Sequence, residues 1–139
     1  MRLFVSAAIL TVGLASMAWG QAAQPAPQPD PANFTGKVTG HPTTDIRMLR
    51  YSFEPGARTN WHSHAAGQVI FIEEGRMRVQ EKGGQARELG PRETLVVNPG
   101  VLHWHGALPG GPLTQVSLSF GVTNWADKVS DAEYTAPRR

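Results

Sequence analysis

Short apolar stretches separated by turn residues fill the middle of this chain, between residues 45 and 120. The stretches are rich in Val, Ile, Leu, Phe, Thr and Tyr, and Gly or Pro interrupts them at intervals of about ten residues. This rhythm is typical of an antiparallel sandwich or barrel built from short strands. We therefore predict an all-β fold, with strands near 46–53, 58–64, 67–73, 76–81, 85–89, 94–98, 102–107 and 113–120.

Large apolar side chains alternate with other residues within these stretches, as they do when one face of a strand is buried. The alternation predicts that one set of side chains faces the core or lines a pocket: Leu49, Tyr51, Phe53, Ile70, Ile72, Val96, Leu118 and Phe120. Tyr51 would offer its phenol to a pocket if the strand turns this residue inward.

The C-terminal tail is the part of the sequence that carries helical signals. Ser130 precedes Glu133 by three residues, which is the spacing of a capping box at the start of a helix. We expect a single helical turn that ends near Tyr134 and covers an edge of the barrel. Trp125 is the expected anchor of this turn.

The first residues differ from the rest of the chain. Arg2 precedes an apolar run from Leu3 to Ala18, and Ala18 and Gly20 supply the small residues that a signal peptidase recognises. A membrane anchor is the alternative, but the run is shorter than the ~20 apolar residues of a spanning helix. We therefore expect a signal peptide over residues 1–20, cleaved near Gly20, and an exported protein, periplasmic or secreted, without membrane contact after cleavage.

Composition also divides the chain. Residues 21–32 are rich in Pro, Ala and Gln, which predicts an extended linker, and residues 33–139 are enough for a single domain.

Charge and cysteine content narrow the classes of partner. The chain has 13 Lys and Arg against 11 Asp and Glu, and it has no cysteine. This near-balance gives no basic surface of the kind that binds nucleic acid, and disulfides are excluded. The expected partner is a small-molecule substrate and not a nucleic acid.

Four of the five histidines fall into two identical patterns, His62-Ser63-His64 and His103-Trp104-His105. Residues i and i+2 of a strand point to the same face, so each pattern presents two imidazoles side by side. Two such strands facing into one barrel would bring three or four imidazoles to a single metal ion. The alternative is that these are surface histidines or hydrogen-bonded core histidines.

Two segments resemble the two sequence motifs of the cupin family. The first resemblance rests on the spacing of Gly56, His62, His64, Gln68 and Gly75, and the second on the run from Pro99 to His103. The resemblance covers residues 46–120. It implies a cupin jelly-roll β-barrel, also called a double-stranded β-helix, that commonly forms a homodimer. It also implies one divalent metal ion, bound by the matching residues His62, His64, Gln68 and His103.

Position 68 departs from the family motif, because glutamine stands where the family usually has a glutamate ligand. An amide oxygen can bind a metal but carries no charge, so three imidazoles and one amide would leave the +2 charge of the ion uncompensated. The alternative is that Gln68 bonds to the backbone and leaves a three-histidine site. A six-coordinate site with an oxygen ligand suits manganese or iron, and imidazole also binds zinc and nickel.

The segments 53–64 and 103–107 resemble a subgroup of small bacterial cupins that includes the manganese-dependent hydroxynitrile lyases, the (R)-mandelonitrile lyase-like proteins. This resemblance implies manganese as the metal and a small cyanohydrin as the molecule that is cleaved or formed. His105 shares a strand face with His103 and is the candidate catalytic base. Alternatively, His105 orients a ligand or fills the barrel. These lyases carry another pocket histidine at the position of Gln115, and glutamine cannot act as a base.

Tyr51 and Gln115 are the further candidates for the substrate pocket. Two other functions stay open at this point. The first is an oxidase or dioxygenase, in which the metal binds dioxygen and a small organic molecule is oxidised. The second is a module that binds a metal or a small ligand without catalysis.

Overall fold

The computed structural model describes residue 28 and residues 30–40 and 43–136. The chain divides into two compact units, residues 1–42 and residues 43–139. In the first unit, Pro31–Asn33 forms a 3-10 turn, and the side chain of Asp30 caps it by accepting a hydrogen bond from the backbone N–H of Ala32. The predicted signal peptide, 1–20, and most of the predicted linker lie outside the described residues.

The second unit is built from two antiparallel sheets, which confirms the predicted all-β class. Its strands are β1 (Ile46–Phe53), β2 (His62–His64), β3 (Gln68–Gly75), β4 (Met77–Glu81), β5 (Arg87–Leu89), β6 (Thr94–Val97), β7 (His103–Ala107), β8 (Leu113–Phe120) and β9 (Thr123–Trp125). One sheet has the order β1-β8-β3-β6 and the other has the order β5-β4-β7-β2-β9. Strands distant in sequence are therefore neighbours, as in a jelly roll.

Strand β2 is shorter than the predicted strand 58–64. Arg58 forms only an isolated bridge to Gly106, the N–H of Thr59 donates to the carbonyl of His105, and the N–H of Trp61 donates to Asp127. These partners lie on different elements, so no continuous ladder forms before residue 62. The structure also contains β9, which the sequence pattern did not predict. The remaining predicted strands are present, with ends shifted by two residues or fewer.

The apolar core occupies one end of the space between the sheets. The buried members of this cluster are Ile70, Ile72, Met77, Val79, Leu95, Val97, Ala107 and Leu113. The inward residues become polar toward the other end. On β8 the buried series runs from Leu113 through Gln115 and Ser117 to Ser119. The interior therefore has an apolar half and a polar half, and the polar half holds the histidines.

Part of the predicted core is wrong for this reason. On β8 the inward face carries Gln115, Ser117 and Ser119, so the predicted Leu118 and Phe120 lie on the outer face and are only partly buried. Val96 has a different reason: it is 62% exposed, because Leu95 and Val97 occupy the inward positions of β6. Apolar alternation therefore fails where the buried face is polar, as on β8, and where both faces carry apolar residues, as on β6.

The predicted helical turn is confirmed as α1 (Asp131–Thr135), with Ser130 and Glu133 forming both hydrogen bonds of the capping box. The expectation that Trp125 anchors this helix is wrong, because Trp125 is 60% exposed. The helix is held by Tyr134, which packs in a second buried cluster with Trp61, Trp104 and Val129. No helix among the described residues is long and apolar enough to cross a membrane.

Candidate metal centre

Pairing of β2 with β7 places the two histidine patterns next to each other, since His62 lies opposite His103 in the register. His64 and His105 share the faces of these two residues, and all four side chains are at most 2% exposed. Gln68 opens β3 in the facing sheet and is 4% exposed. The structure therefore gathers the predicted side chains of two sheets in the polar half of the barrel.

A glycine lets β3 begin close to its neighbour. Gly67 has a φ of +95°, and a Cβ atom there would lie 2.8 Å from the carbonyl oxygen of Val97. A larger residue would be strained and would push β3 away from β6. Gly67 therefore fixes the position from which the next residue, Gln68, reaches into the barrel.

Hydrogen bonds fix the orientation of three imidazoles. The Nδ1 atom of His62 is 2.9 Å from the carbonyl oxygen of Asn60, and Nδ1 of His103 is 3.0 Å from the carbonyl oxygen of Val101. Because a carbonyl only accepts, each Nδ1 carries the proton and each Nε2 keeps a free lone pair. Nδ1 of His64 lies 3.0 Å from the hydroxyl oxygen of Thr123, which can accept in the same way. Metal-ligating histidines are commonly oriented by such bonds.

One ring nitrogen from each of His62, His64 and His103 lies within 4.8 Å of the other two. Nε2 of His64 is buried and has no hydrogen-bond partner in the described part of the chain. A buried nitrogen without a partner is costly unless something absent from the protein atoms satisfies it. Three buried histidines can therefore bind one metal ion here.

Gln68 adds an oxygen to this cluster. Its Nε2 donates to the hydroxyl of Ser119 at 3.1 Å, which turns Oε1 to within 3.0 Å of Nε2 of His103. Both of these facing atoms are acceptors, because the proton of His103 is on Nδ1, so they repel unless a cation lies between them. Adjacent ligands bound at ~2.1 Å to one cation lie about 3 Å apart. The donor set thus fits a divalent ion.

Burial keeps these imidazoles neutral. It lowers the pKa of His62, His64 and His103 to about 4 in each case, and charge on a neighbouring imidazole acts in the same direction. A neutral imidazole is the form that ligates a metal. The cluster is therefore ready to bind a cation at neutral pH without first losing protons.

His105 lies beside the cluster but is not part of it. Its ring stacks on that of His103, with centroids 5.9 Å apart, and contacts Phe53 edge-on with a centroid distance of 6.0 Å. Complete burial holds the pKa of His105 well below its usual value, and Nδ1 has no partner among the described residues. His105 therefore offers a neutral, unsatisfied nitrogen next to the candidate ligands.

A cavity of about 270 Å³ opens beside these residues. Besides His62, His64, His105 and Gln68, its wall includes Arg47, Tyr51, Phe53, Arg58, Ser119 and Trp125. A cavity of this volume has room for a small molecule only. A larger cavity of about 640 Å³ lies at the opposite ends of β3 and β8, and no histidine lines it.

Of the two residues predicted to line the substrate pocket, one lines the cavity and the other does not. Tyr51 is on the cavity wall, whereas Gln115 is absent from the lining residues and is fully buried. Its Nε2 donates to the hydroxyl of Ser117 at 3.0 Å, and its Oε1 has no partner in the residues that the structure describes. Gln115 therefore belongs to the polar interior behind the cavity.

Sequence reasoning missed Trp125 and Arg47 as cavity residues. The ring of Trp125 lies 4.9 Å from that of His62, measured between centroids. This contact depends on β9, a strand that the alternation of apolar and polar residues did not predict. Arg47 had a usable signal, because it shares its strand face with Tyr51 and Phe53 at two-residue spacing.

Comparisons with known proteins agree with the fold described above. The family model described as "Cupin domain" matches residues 49–117. An (R)-mandelonitrile lyase from Granulicella tundricola is 37% identical over 87 residues, which cover 60% of this chain and 66% of that protein. The chain thus aligns with slightly less than two thirds of that lyase.

Solved structures show the same fold. A cupin-like protein from Thermotoga maritima superposes with a TM-score of 0.63 at 37% sequence identity, covering 65% of this chain and 71% of that one. A protein with a double-stranded β-helix domain from Klebsiella pneumoniae superposes with a TM-score of 0.56 at 19% identity, covering 71% and 96%. The second similarity concerns the fold alone.

Proposed function

The chain belongs to the cupin family, and we propose that it is a metal-dependent lyase that cleaves or forms a small cyanohydrin. The observation that carries this proposal is that three neutral imidazoles and one amide oxygen lie together beside a cavity, next to His105, whose Nδ1 has no hydrogen-bond partner among the described residues. The 37% identity to an (R)-mandelonitrile lyase supports the choice of reaction. A metal ion bound by this cluster would act as a Lewis acid in cyanohydrin cleavage, and His105 would act as the base.

His62, His64, Gln68 and His103 would hold the ion through three nitrogens and one oxygen. Manganese suits this set because it accepts oxygen together with imidazole, although iron, zinc or nickel would also find ligands here. When bound, the ion would supply positive charge that polarises the substrate and stabilises departing cyanide. The ligands add no negative charge, so that positive charge is not offset by the protein.

His105 would carry the proton. Its neutral ring accepts the proton of the cyanohydrin hydroxyl as the C–C bond breaks. The hydroxyl carbon becomes the aldehyde carbon, and the electron pair of the broken bond leaves with cyanide. His105 then returns the proton to cyanide, which leaves as hydrogen cyanide. The atoms and electrons balance without an oxidant. Because Gln115 cannot accept a proton, His105 acts alone in this scheme.

The cavity wall favours a small substrate with an apolar or aromatic part. Tyr51, Phe53 and Trp125 present rings to the space beside the histidines. Aromatic rings bind planar apolar groups through offset or edge contacts. We therefore propose an aromatic cyanohydrin of about the size of mandelonitrile as the test substrate.

The proposal includes export of the protein and its assembly as a homodimer. The charged start and apolar run of residues 1–20 favour export to the periplasm or the medium, with cleavage near Gly20. The family resemblance favours a homodimer. N-terminal sequencing of the protein secreted by its host would test cleavage, and a start at Met1 would contradict it.

Turnover and metal content test the function together. We expect protein loaded with manganese to release benzaldehyde from racemic mandelonitrile faster than buffer does. His105→Ala should lower this rate by about 100-fold or more while the metal stays bound. His64→Ala is the contrasting variant, because it should lose the metal and the activity together.

Three results would contradict the proposal. The first is a rate no higher than that of buffer with manganese bound. The second is full activity in His105→Ala, which would remove the proton role of this residue. The third is purification with iron and consumption of oxygen, which would favour an oxidative cupin. The first of these results, bound metal without turnover, would favour a binding module.

A further inference from the structure

Arg47 places a guanidinium at the cavity beside the histidines. It lies on β1 and forms part of the cavity wall. Its Nη2 is 3.5 Å from the hydroxyl oxygen of Thr123, and that oxygen is 3.0 Å from Nδ1 of His64. Through Thr123, these two contacts connect Arg47 to the ring of a candidate metal ligand.

No carboxylate compensates Arg47 in the described structure. The four ion pairs among the described residues involve Arg50, Arg58, Arg76 and Arg87. The side chain of Arg47 is exposed, and its recorded bond is to a neutral hydroxyl. Its charge is therefore available to a ligand that enters the cavity.

The other arginine of the wall is already occupied. Arg58 donates to the carboxylate of Asp131 at 2.5 Å and to the carbonyl of Val129 at 3.0 Å, and its guanidinium lies 4.5 Å from the ring centre of Tyr134. These contacts tie it to the segment that carries α1. Arg47 is thus the free cation of the cavity wall within the described residues.

The cavity wall has no acidic residue. The candidate metal ligands are neutral as well, so a divalent ion and Arg47 would together leave the site strongly positive. A neutral substrate would leave this charge uncompensated. A substrate with one negative group would compensate part of it, and a guanidinium binds a carboxylate through two parallel hydrogen bonds.

We propose that the natural substrate is a small carboxylate, bound by Arg47 through its carboxylate group while its reacting end lies at the histidine cluster. This inference rests on the proposed lyase function for the reacting end and adds the charge class of the substrate. The substrate class would be an aldehyde, or its cyanohydrin, that carries a carboxylate at the far end of a short apolar body.

Binding of two matched probes tests this proposal without any turnover. The probes are 4-formylbenzoate and its neutral isostere 4-formylbenzamide, which differ only in replacing the carboxylate by an amide. Titration calorimetry of each probe into the manganese-loaded protein gives the ratio of the two dissociation constants. A charge-assisted bond predicts a preference of about tenfold or more for the carboxylate.

Two variants locate the source of that preference. Arg47→Gln should bring the ratio close to one, and Arg47→Lys should keep part of it, because lysine retains the charge but not the planar fork. Arg50→Gln is the matched control, since Arg50 lies on the opposite face of the same strand and pairs with Glu73 at 2.8 Å. The control should keep the full preference.

Equal affinity for the two probes in the unmodified protein would overturn the proposal. So would a preference that survives in Arg47→Gln, or one that disappears equally in Arg50→Gln. These results are independent of the lyase function, because neither probe is a cyanohydrin. If mandelonitrile is not cleaved but the preference depends on Arg47, the reaction is wrong and the substrate charge is right.

Discussion

Single hydrogen bonds orient the side chains of the candidate metal ligands. The Nδ1 atoms of His62 and His103 donate to backbone carbonyls, and the amide of Gln68 is turned by Ser119. Each of these contacts satisfies the atom that faces away from the cluster. The lone pairs that remain belong to ring nitrogens within 4.8 Å of one another and to an amide oxygen 3.0 Å from one of them, and every one of these groups is neutral.

Gln68→Glu should tighten metal binding. A carboxylate at this position adds a negative charge next to the ion, and the hydroxyl of Ser119 can turn to donate to it in place of accepting from the amide. We expect the dissociation constant for manganese to fall by about tenfold or more, measured by competition with a chelator. Gln68→Leu is the control and should weaken binding. Equal affinities in all three proteins would show that residue 68 is not a ligand.

Acid should destabilise the metal-free protein. Burial lowers the pKa of His62, His64 and His103 from 6.5 to about 4. Between these values the unfolded chain binds more protons than the folded chain, so stability is present above pH 6.5 and is lost as the pH falls toward 4.

Thermal unfolding in the presence of a chelator checks this dependence. The midpoint should fall already between pH 6.5 and 5, which is above the range where Asp and Glu usually titrate, about pH 4. His62→Gln removes one titrating ring and should flatten the curve. A midpoint that is constant from pH 6.5 to 5 would contradict the burial of neutral imidazoles.

At this scale, the sequence predicted which histidines share a face because a two-residue spacing is sufficient for that. It did not predict what orients them. The carbonyls of Asn60 and Val101 are two residues from the rings that they hold, but loop geometry brings them there. Gln68 as a ligand came from the family motif, because its partners His103 and Ser119 are 35 and 51 residues away along the chain.

At the scale of elements, the site depends on a close contact between β7 and the segment before β2. The N–H of Ala107 donates to the carbonyl of Ala57 at 2.9 Å. A Cβ atom on Gly106 would lie 2.4 Å from that same carbonyl oxygen and 2.5 Å from Cβ of Arg58. Glycine at 106 therefore allows the segment to lie flat on the strand that carries His103 and His105.

Gly106→Ala should displace this segment. The added methyl group overlaps backbone atoms that cannot turn away, so we expect a loss of at least about 2 kcal/mol in the free energy of unfolding, measured by urea denaturation. Gly110→Ala is the control, because a Cβ atom there meets nothing within 4 Å. Equal stability of both variants would contradict the close packing at residue 106.

The elements show where sequence patterns succeed and fail. Strands β1 and β8 were predicted with their observed bounds. Pro55 and Gly56 follow β1, and Pro112 and Gly121 flank β8, so turn residues mark three of these four ends. The inward face of β8 was predicted wrongly because this strand crosses from the apolar half of the barrel to the polar half. Strand β9 has three residues, which is too short for an alternation to be visible.

At the scale of the molecule, the outer face of the sheet β1-β8-β3-β6 is apolar. Met48, Leu118, Val69 and Val96 form a row across its four strands by register, and Met48 and Val96 are 67% and 62% exposed. An exposed apolar face of this kind commonly meets another protein surface. The ion pair between Arg50 and Glu73 leaves its flank neutral, so two copies would meet without like-charge repulsion.

We expect this face to form the predicted homodimer through a two-fold axis. Met48→Glu should weaken the dimer by about tenfold or more, because two carboxylates would be buried at the contact. Sedimentation equilibrium gives the dissociation constant. Val122→Glu is the control, because Val122 is 68% exposed but follows β8 outside this face. A monomer at all concentrations, or a dimer unaffected by Met48→Glu, would contradict the prediction.

We propose above all that one divalent ion is held where the two sheets bring their polar ends together. Anomalous scattering from a crystal of the protein soaked in manganese tests it most directly. We expect a single peak at about 2.2 Å from Nε2 of His62, His64 and His103 and from Oε1 of Gln68. A map without a peak at this point, or side chains that turn away from it, would contradict the claim.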